Sequence, residues 1–135
     1  ERYLFSLSAL MARPFKLIPP FRFSIVELDV YRGAYPTLKN FPFLKTLALK
    51  TIISLTPERP IPDLEDFCFC EGVELIHFMV EKPRDEVTLR ADDVLEVLQV
   101  LIRPPKLPVY VHCLDGTNVT GLIIACLRRI QSWHA

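Results

Sequence analysis

The chain has 135 residues, of which 50% are hydrophobic and 24% charged, a composition that argues against a disordered chain and favours one globular domain. Sixteen basic side chains balance sixteen acidic ones, so net charge attracts neither nucleic acid nor an anionic membrane, and we predict neither as a partner. No apolar run reaches the roughly 18 residues of a membrane-spanning helix, and residues 3–12 lack a clear signal-peptide cleavage site. We therefore expect a cytoplasmic protein.

The first part of the chain is predicted to be an arm followed by two strands and a helix. Prolines interrupt residues 1–20, which we interpret as an extended N-terminal arm. Loose alternation of apolar residues from position 21 predicts two short strands joined near Asp29. Asn40 is predicted to cap a helix whose apolar residues keep helical spacing: Phe41, Leu44, Leu47 and Ala48.

Alternating strands and helices follow. The apolar run 50–56 predicts a buried strand, residues 63–71 a helix closed by a C-terminal glycine, and residues 73–80 another strand. After the charged loop 81–86, the spacing of apolar residues predicts a helix over 88–102. Its inward side chains are expected to be Leu89, Val94, Leu95, Leu98, Leu101 and Ile102.

The stretch 108–133 predicts a strand, a tight loop and a helix. Val109 and Val111 are β-branched and follow a proline, which indicates a short buried strand ending at His112 and Cys113. The loop would point backbone N–H groups and the positive end of the helix dipole at the Cys113 sulfur, an arrangement that favours a thiolate and suits an oxyanion. The helix follows from apolar residues at Val119, Leu122, Ile123, Cys126, Leu127, Ile130 and Trp133.

This alternation of strands and helices predicts the α/β class, with a central, mostly parallel sheet of about five strands flanked by helices. Residues 21–135 are expected to form a single domain. Ligands of such sheets bind at the carboxyl ends of the strands, so we expect the site at the loop that follows His112.

The four cysteines, at positions 68, 70, 113 and 126, do not have the spacing of zinc ligands. Cys68 and Cys70 are interpreted as partly buried helix residues, and Cys126 as a core residue. A redox partner for Cys113 is the alternative. We predict no metal and no cofactor.

The loop reads His112, Cys113, Leu, Asp, Gly116, Thr, Asn, Val119, and then Thr and Gly. This order resembles the signature of the cysteine-dependent protein tyrosine and dual-specificity phosphatases, which carry His-Cys, five residues, Arg, Ser or Thr, and Gly between a strand and a helix. Five residues match it in register: His112, Cys113, Gly116, Thr120 and Gly121. Val119 stands at the position of the arginine.

Short sequence segments outside the loop resemble one branch of this phosphatase superfamily. It is the branch of plant and fungal atypical dual-specificity phosphatases, which includes the fungal oxidant-induced cell-cycle-arrest proteins. The segments include Phe23, Val26-Glu27, Tyr31-Arg32, Pro36, Asn40-Phe41, Pro57-Glu58 and Cys126-Leu127-Arg128. The resemblance covers about residues 21–133 and implies a protein tyrosine phosphatase-like fold. Members of the branch continue with further helices, which leaves open a truncation at the C-terminus of the domain.

The resemblance also implies the role of each candidate site residue. Cys113 would attack phosphorus and form a phosphocysteine, with a buried His112 holding the loop. Asp85, in the charged loop, is the candidate general acid. The implied phosphate-binding loop consists of His112, Cys113, Leu114, Asp115, Gly116, Thr117, Asn118, Val119 and Thr120.

The departures from the signature bear on activity. Valine at 119 cannot bind two phosphoryl oxygens as a guanidinium does, and Asp115 adds negative charge to a loop that would hold a dianion. Lys82 and Arg84 are the best placed cations to replace the arginine. We expect a phosphatase-like domain with weak or no activity toward a phosphorylated substrate or anion. The alternatives are a genuine phosphatase acting on a phosphoprotein or an inositol pyrophosphate, and a pseudophosphatase that binds a partner protein.

Overall fold

The computed structural model describes residues 16–82 and 84–131, in which a five-stranded sheet has the order β1-β2-β5-β3-β4. The strands are β1 (Ser24–Glu27), β2 (Val30–Gly33), β3 (Thr51–Thr56), β4 (Glu74–Met79) and β5 (Val109–His112). The helices are α1 (Phe41–Thr46), α2 (Pro62–Glu71), α3 (Ala91–Leu101) and α4 (Asn118–Ile130). Only β1 pairs antiparallel with its neighbour, so the prediction of a mostly parallel α/β sheet is confirmed.

Alternation along the central strands divides the interior into two apolar layers. On β3, Ile53 and Leu55 face one layer while Ile52 faces the other, because successive side chains of a strand point to opposite faces. Val109 and Val111 of β5 join the first layer, which α3 and α4 cover. The second layer lies beneath α1 and α2 and includes Leu44, Leu49, Leu64, Cys68, Val73 and Tyr110.

The strands β1 and β2 form the predicted hairpin. Asp29 lies in the connection with a φ of 65°, a left-handed conformation that Asp tolerates better than most residues. Its carbonyl accepts a hydrogen bond of 2.9 Å from the N–H of Val109. The hairpin is therefore tied to the start of β5, the strand that leads into the candidate site.

The first helix is preceded by a 3-10 turn, Leu38–Asn40, and Asn40 does not cap it as predicted. The Asn40 side chain is 3% exposed, and its Nδ2 donates to the carbonyl oxygens of Ile18 and Pro19, each at 3.1 Å. Its Oδ1 accepts hydrogen bonds from the N–H and the hydroxyl of Thr37. The oxygen that would cap the helix is thus occupied by Thr37, three residues earlier, and the amide nitrogen is held by the distant residues 18 and 19.

The second helix follows the prediction closely. It begins at Pro62, one residue earlier than expected, and ends where Gly72 adopts a left-handed φ of 66°. Cys68 is buried and Cys70 is exposed. Burial raises the pKa of the Cys68 thiol to about 12.

The third helix is shorter than predicted and buries a different stripe. Arg90 is extended, with a ψ of 138°, so the helix begins at Ala91 instead of position 88. Leu95 and Ile102 are 58% and 52% exposed, and the prediction that they face inward was wrong. Each follows an inward position by one residue, which rotates it by about 100° around the helix axis. Val97 is fully buried in their place.

The fourth helix has the predicted position, but two of its expected apolar contacts are exposed. Leu122 and Ile130 are 38% and 51% exposed, whereas Ile124 is buried. Cys126 is half-buried and packs against the first apolar layer. Trp133 and the first fifteen residues of the predicted arm lie outside the described residues.

Residues 16–20 contain neither helix nor strand, and the boundaries predicted for the arm and the domain stay predictions. Within the two described ranges, no helix is long and apolar enough to cross a lipid bilayer.

Candidate active site

The candidate site is the loop between β5 and α4, at the carboxyl end of the parallel strands. Cys113 follows the last residue of β5, and the helix begins five residues later at Asn118. The predicted order of strand, loop and helix is therefore present. Beneath the loop lies the end of β2, whose Gly33 pairs in register with His112.

His112 is fully buried and joins the loop to the neighbouring strand. Its Nε2 lies 2.6 Å from Oγ of Ser54, its register partner on β3, and its Nδ1 lies 3.2 Å from the carbonyl oxygen of Cys113. The carbonyl only accepts, so we assign the proton to Nδ1, and Ser54 then donates to Nε2. Burial lowers the pKa of His112 to about 4, which keeps the imidazole neutral.

Gly116 makes the tight curvature of the loop possible. Its φ is +79°, a left-handed conformation that strains other residues. A Cβ at this position would lie 2.7 Å from both the carbonyl carbon of Gly33 and the nitrogen of Ala34. The loop therefore lies directly against the backbone that leaves β2, and only glycine fits there.

Three groups converge on the sulfur of Cys113, a residue that is 2% exposed. The N–H of Gly116 donates to Sγ at 3.2 Å, and the thiol donates to Oδ1 of Asp115 at 3.4 Å. Oγ1 of Thr120 lies 3.7 Å from the sulfur. The loop thus surrounds Cys113 with a backbone donor, a hydroxyl and a carboxylate.

Asp115 binds back onto its own loop. Its Oδ1 accepts a hydrogen bond of 3.0 Å from the N–H of Thr117, which holds the pKa of the carboxyl below its ordinary value. The Cys113 thiol and the charge of Arg22 lower this pKa further, partly opposed by burial. The loop therefore carries an ionised carboxylate at neutral pH, and this carboxylate already occupies one of the N–H groups available to an anion.

Val119, at the position of the signature arginine, is a core residue. Its side chain is 3% exposed and belongs to the apolar layer between the sheet and α4, together with Ile123 and Leu127. Hydrophobic packing of the first helical turn thus takes the place of a charged group reaching over the loop.

A cleft of about 330 Å³ opens onto the loop. Cys113, Leu114, Asp115, Asn118 and Val119 line one side of it. The opposite side is lined by residues from the ends of β3 and β4: Leu55, Pro57, Val80, Glu81 and Lys82. Of the two cations proposed to replace the arginine, Lys82 lines this cleft, while Arg84 lines the neighbouring depressions.

Asp85, the predicted general acid, is an exposed residue of the loop between β4 and α3. It lines a depression shared with Asn118 and Leu122, next to the Cys113 cleft, whose own lining includes Glu81 from the same loop. The structure thus places Asp85 beside the site without bringing it to the sulfur, and its role stays a prediction.

The sequence reasoning missed three residues that hold the loop. Ser54 binds His112, Arg22 donates to the carbonyl oxygen of Asp115 at 3.2 Å, and Arg32 donates to the carbonyl oxygen of Gly116 at 3.1 Å. For Arg32 the sequence contained one indication of importance: it lies in the segment Tyr31-Arg32, which resembles the phosphatase branch. Ser54 and Arg22 had none, because their partners are distant in sequence.

The fold and the loop define a domain of the protein tyrosine and dual-specificity phosphatase type. The chain matches the Tyrosine phosphatase family over residues 17–135, and it belongs to that family.

Individual relatives support the expected branch. The putative tyrosine-protein phosphatase OCA1 of Mycosarcoma maydis is 39% identical over 121 residues, covering 87% of this chain and 75% of the relative. The inositol diphosphatase DSP3 of Arabidopsis thaliana is 42% identical over 120 residues, covering 87% of this chain and 58% of the relative. The crystal structure of the core catalytic domain of the PP-IP phosphatase SIW14 from S. cerevisiae, in complex with citrate, superposes with a TM-score of 0.81 and 31% identity, covering 88% of this chain and 72% of the other.

Proposed function

We propose that this domain binds a phosphate-bearing ligand at the Cys113 loop and hydrolyses it slowly or not at all. The observation that carries the proposal is the position of Val119, which lies in the core at the place where the phosphatase signature has its arginine. Losing one preorganised donor to a developing charge costs roughly 10² to 10³ in rate. Valine has no group that restores this loss.

The other cations near the loop do not replace the contact that the signature arginine would make with two phosphoryl oxygens of the ligand. Arg22 and Arg32 donate to carbonyl oxygens of the loop itself. Lys82 lines the cleft, but an ammonium acts as a point charge and lacks the planar fork that binds two phosphoryl oxygens together. We therefore expect Lys82 to help anion binding more than catalysis.

The charges around the cleft favour a ligand with few phosphates. The relatives named inositol diphosphatases make a highly charged inositol pyrophosphate an obvious candidate. The cleft and the four depressions that share residues with it are, however, lined by six carboxylates and four cations: Glu58, Glu81, Asp85, Glu86, Asp93 and Asp115 against Arg59, Lys82, Arg84 and Arg90. With Arg22 and Arg32, which bind the loop itself, the charges only balance, so the site has no positive excess to hold a polyanion. A phosphomonoester on a neutral or basic carrier is the better match.

Genuine hydrolysis through a phosphocysteine is the second candidate. The hydrogen bond from the N–H of Gly116 to Cys113 Sγ and the nearby Thr120 hydroxyl favour it, because both groups stabilise a thiolate. In this mechanism the sulfur attacks phosphorus while the P–O bond to the alcohol breaks, and the leaving oxygen takes a proton from Asp85 or from water. Water then attacks the phosphocysteine, breaks the S–P bond and releases phosphate and the free Cys113.

Two measurements on the same protein test the proposal. Isothermal titration calorimetry with inorganic phosphate measures binding, and hydrolysis of an aryl phosphate by the wild type and by Cys113→Ser measures turnover. We expect phosphate binding with hydrolysis within about tenfold of Cys113→Ser, since most of the arginine's contribution is missing. Cys113-dependent turnover above about 1 s⁻¹, an ordinary enzyme rate, would establish the second candidate instead. Absence of phosphate binding at low salt would overturn the binding function.

A further inference from the structure

The guanidinium of Arg32 lies beneath the phosphate-binding loop and touches it twice. Arg32 is a half-buried residue of β2. Its Nη2 donates to the carbonyl oxygen of Gly116 at 3.1 Å and to Oγ1 of Thr120 at 3.4 Å. The first acceptor belongs to the turn of the loop, and the second is the hydroxyl beside the Cys113 sulfur. One nitrogen therefore contacts both the backbone of the loop and a group next to the nucleophile.

The hydrogen bonds around the sulfur fix the direction of the Thr120 hydroxyl. The single thiol proton of Cys113 has two acceptors within reach, and the ionised Asp115 carboxylate is the stronger and the nearer of them, at 3.4 Å against 3.7 Å. Because Arg32 donates to Oγ1, the hydroxyl proton of Thr120 is directed away from the guanidinium, and Sγ is the acceptor on that side. In the thiol form Sγ can also donate to Oγ1, but once the thiol proton goes to Asp115 or is lost, Thr120 donates to the sulfur, as a thiolate requires.

The same guanidinium places a positive charge one hydroxyl away from the sulfur. In a partly buried position such a charge is screened less than one at the surface, and it favours both a thiolate and a bound anion. Arg22 provides a natural comparison, because it also donates to a loop carbonyl but is exposed and makes no hydrogen bond to Thr120.

We propose that Arg32 is the positioning residue of this site: it orients the Thr120 hydroxyl toward Cys113 Sγ and supplies the positive charge that the loop itself lacks at Val119. The first part stands on hydrogen-bond geometry alone. The second part rests on the proposed anion-binding function.

The orienting role is tested by the rate at which iodoacetamide, an uncharged reagent, alkylates Cys113. Mass spectrometry of the Cys113 peptide excludes signal from the exposed Cys70. Arg32→Gln is expected to slow this alkylation about threefold, the effect of about one neutral hydrogen bond. In a Thr120→Val background the same substitution should change the rate by less than about 1.5-fold, because the hydroxyl through which it acts is gone. Arg22→Gln is the matched control and should show no such coupling to Thr120.

The charge role is tested by replacing the reagent with iodoacetate, which is an anion. Arg32→Gln should lower the ratio of the iodoacetate rate to the iodoacetamide rate, and Arg32→Lys should restore it by restoring the charge. Inorganic phosphate affinity, measured by calorimetry at low salt, should follow the same order. The free energy of unfolding of each variant separates these effects from a general loss of structure.

Each outcome decides one part of the proposal. Equal effects of Arg32→Gln with and without the Thr120 hydroxyl would overturn the orienting role, as would a wild-type Cys113 that neither reagent modifies. An unchanged reagent ratio would overturn the charge role. If the wild type binds no phosphate, the proposed function fails, while the coupling between Arg32 and Thr120 in the iodoacetamide reaction still decides the orienting role.

Discussion

The buried side of the Cys113 loop and its open side differ in how closely they follow the phosphatase pattern. On the buried side, His112 is bonded to Ser54, Gly116 lies against the backbone leaving β2, and Arg32 binds two groups of the loop. On the open side, a carboxylate occupies a loop N–H and a valine stands where the arginine would be. The shape of the loop is thus maintained by contacts beneath it, of which His112–Ser54 and the packing of Gly116 are separate from the groups that would bind the ligand.

This difference teaches that loop geometry and phosphate chemistry are separable in this fold. The buried contacts are hydrogen bonds and close packing in an environment of low dielectric, where an unpaired group is costly. On the open side Asp115 is exposed, so a change of its charge costs little folding free energy, whereas Val119 is packed in the core. Substitutions of Gly116 and His112 should therefore affect mainly stability, and substitution of Asp115 mainly binding. Arg32 links the two sides, because it also contacts Thr120.

Of the substitutions on the buried side, Gly116→Ala should lower the free energy of unfolding most. The substitution adds a Cβ to a residue with φ of +79°, at 2.7 Å from backbone atoms, so both backbone strain and overlap oppose folding. We expect a loss of about 3 to 4 kcal/mol in the free energy of unfolding, measured with urea. Gly72→Ala is the matched control, because Gly72 has φ of +66° with nothing within 4 Å of the added Cβ. It should lose only about 1 to 2 kcal/mol, and equal losses would contradict the close approach of the loop to β2.

The neutral state of His112 should make stability depend on pH. The pKa of His112 is about 4 in the folded protein and about 6.5 when unfolded, so between these values the unfolded chain binds more protons. The contribution of His112 to the free energy of unfolding is therefore complete above pH 6.5. It decreases as the pH falls toward 4, by up to about 3 kcal/mol. Urea unfolding of the wild type and of His112→Gln from pH 7 to pH 4.5 isolates this contribution. An NMR titration of the folded wild type is the second check, and protonation of His112 near pH 6.5 would rule the prediction out.

Val119→Arg tests the open side, since it returns the missing cation to a loop whose nucleophile is already in place. We expect the hydrolysis of an aryl phosphate to rise at least about tenfold over the wild type. The gain is smaller than the full value of the donor, because Asp115 remains and the new side chain leaves an apolar layer. Val119→Met is the control for lost packing and should show no gain. A folded Val119→Arg protein no faster than Cys113→Ser would show that the arginine was not the limiting defect.

Asp115→Lys should have the smallest of these effects, on anion affinity. The change removes the carboxylate that accepts the Thr117 N–H and adds a cation at an exposed position, so phosphate should bind roughly fivefold more tightly at low salt. Calorimetry at two salt concentrations measures it, and the gain should shrink as salt increases. Asp115→Asn separates the loss of negative charge from the added positive charge. Unchanged phosphate affinity in both variants would place the anion away from this side of the loop.

Local patterns in the sequence were sufficient for most of the fold. The strand that ends at His112, the loop and the helix with Ile123 and Leu127 inward were predictable, because each depends on spacing within a few residues. Gly72 was predictable for the same reason, since a glycine after a helical stretch is a common C-terminal signal. The match of His112 and Cys113 to a known signature then indicated the site.

Long-range contacts were the part that the sequence could not provide. Arg32 and its partner Gly116 are 84 residues apart, and Ser54 and His112 are 58 apart, so nothing local links either pair. The orientation of the third helix was mistaken because Leu95 is apolar and near the correct stripe, and hydrophobicity alone does not distinguish adjacent helix faces. Tertiary packing decided these positions.

Asn40 has a consequence for where the folded unit can be shortened. Both carbonyl oxygens that it binds belong to Ile18 and Pro19, which precede the first strand, and the amide is almost completely enclosed. Trimming the chain to begin at Phe21 would leave a buried amide nitrogen without these acceptors, a deficit of about 1 to 3 kcal/mol in a small domain. The fold therefore requires residues that precede its first strand. A protein expressed from a boundary placed at the first strand would lack them.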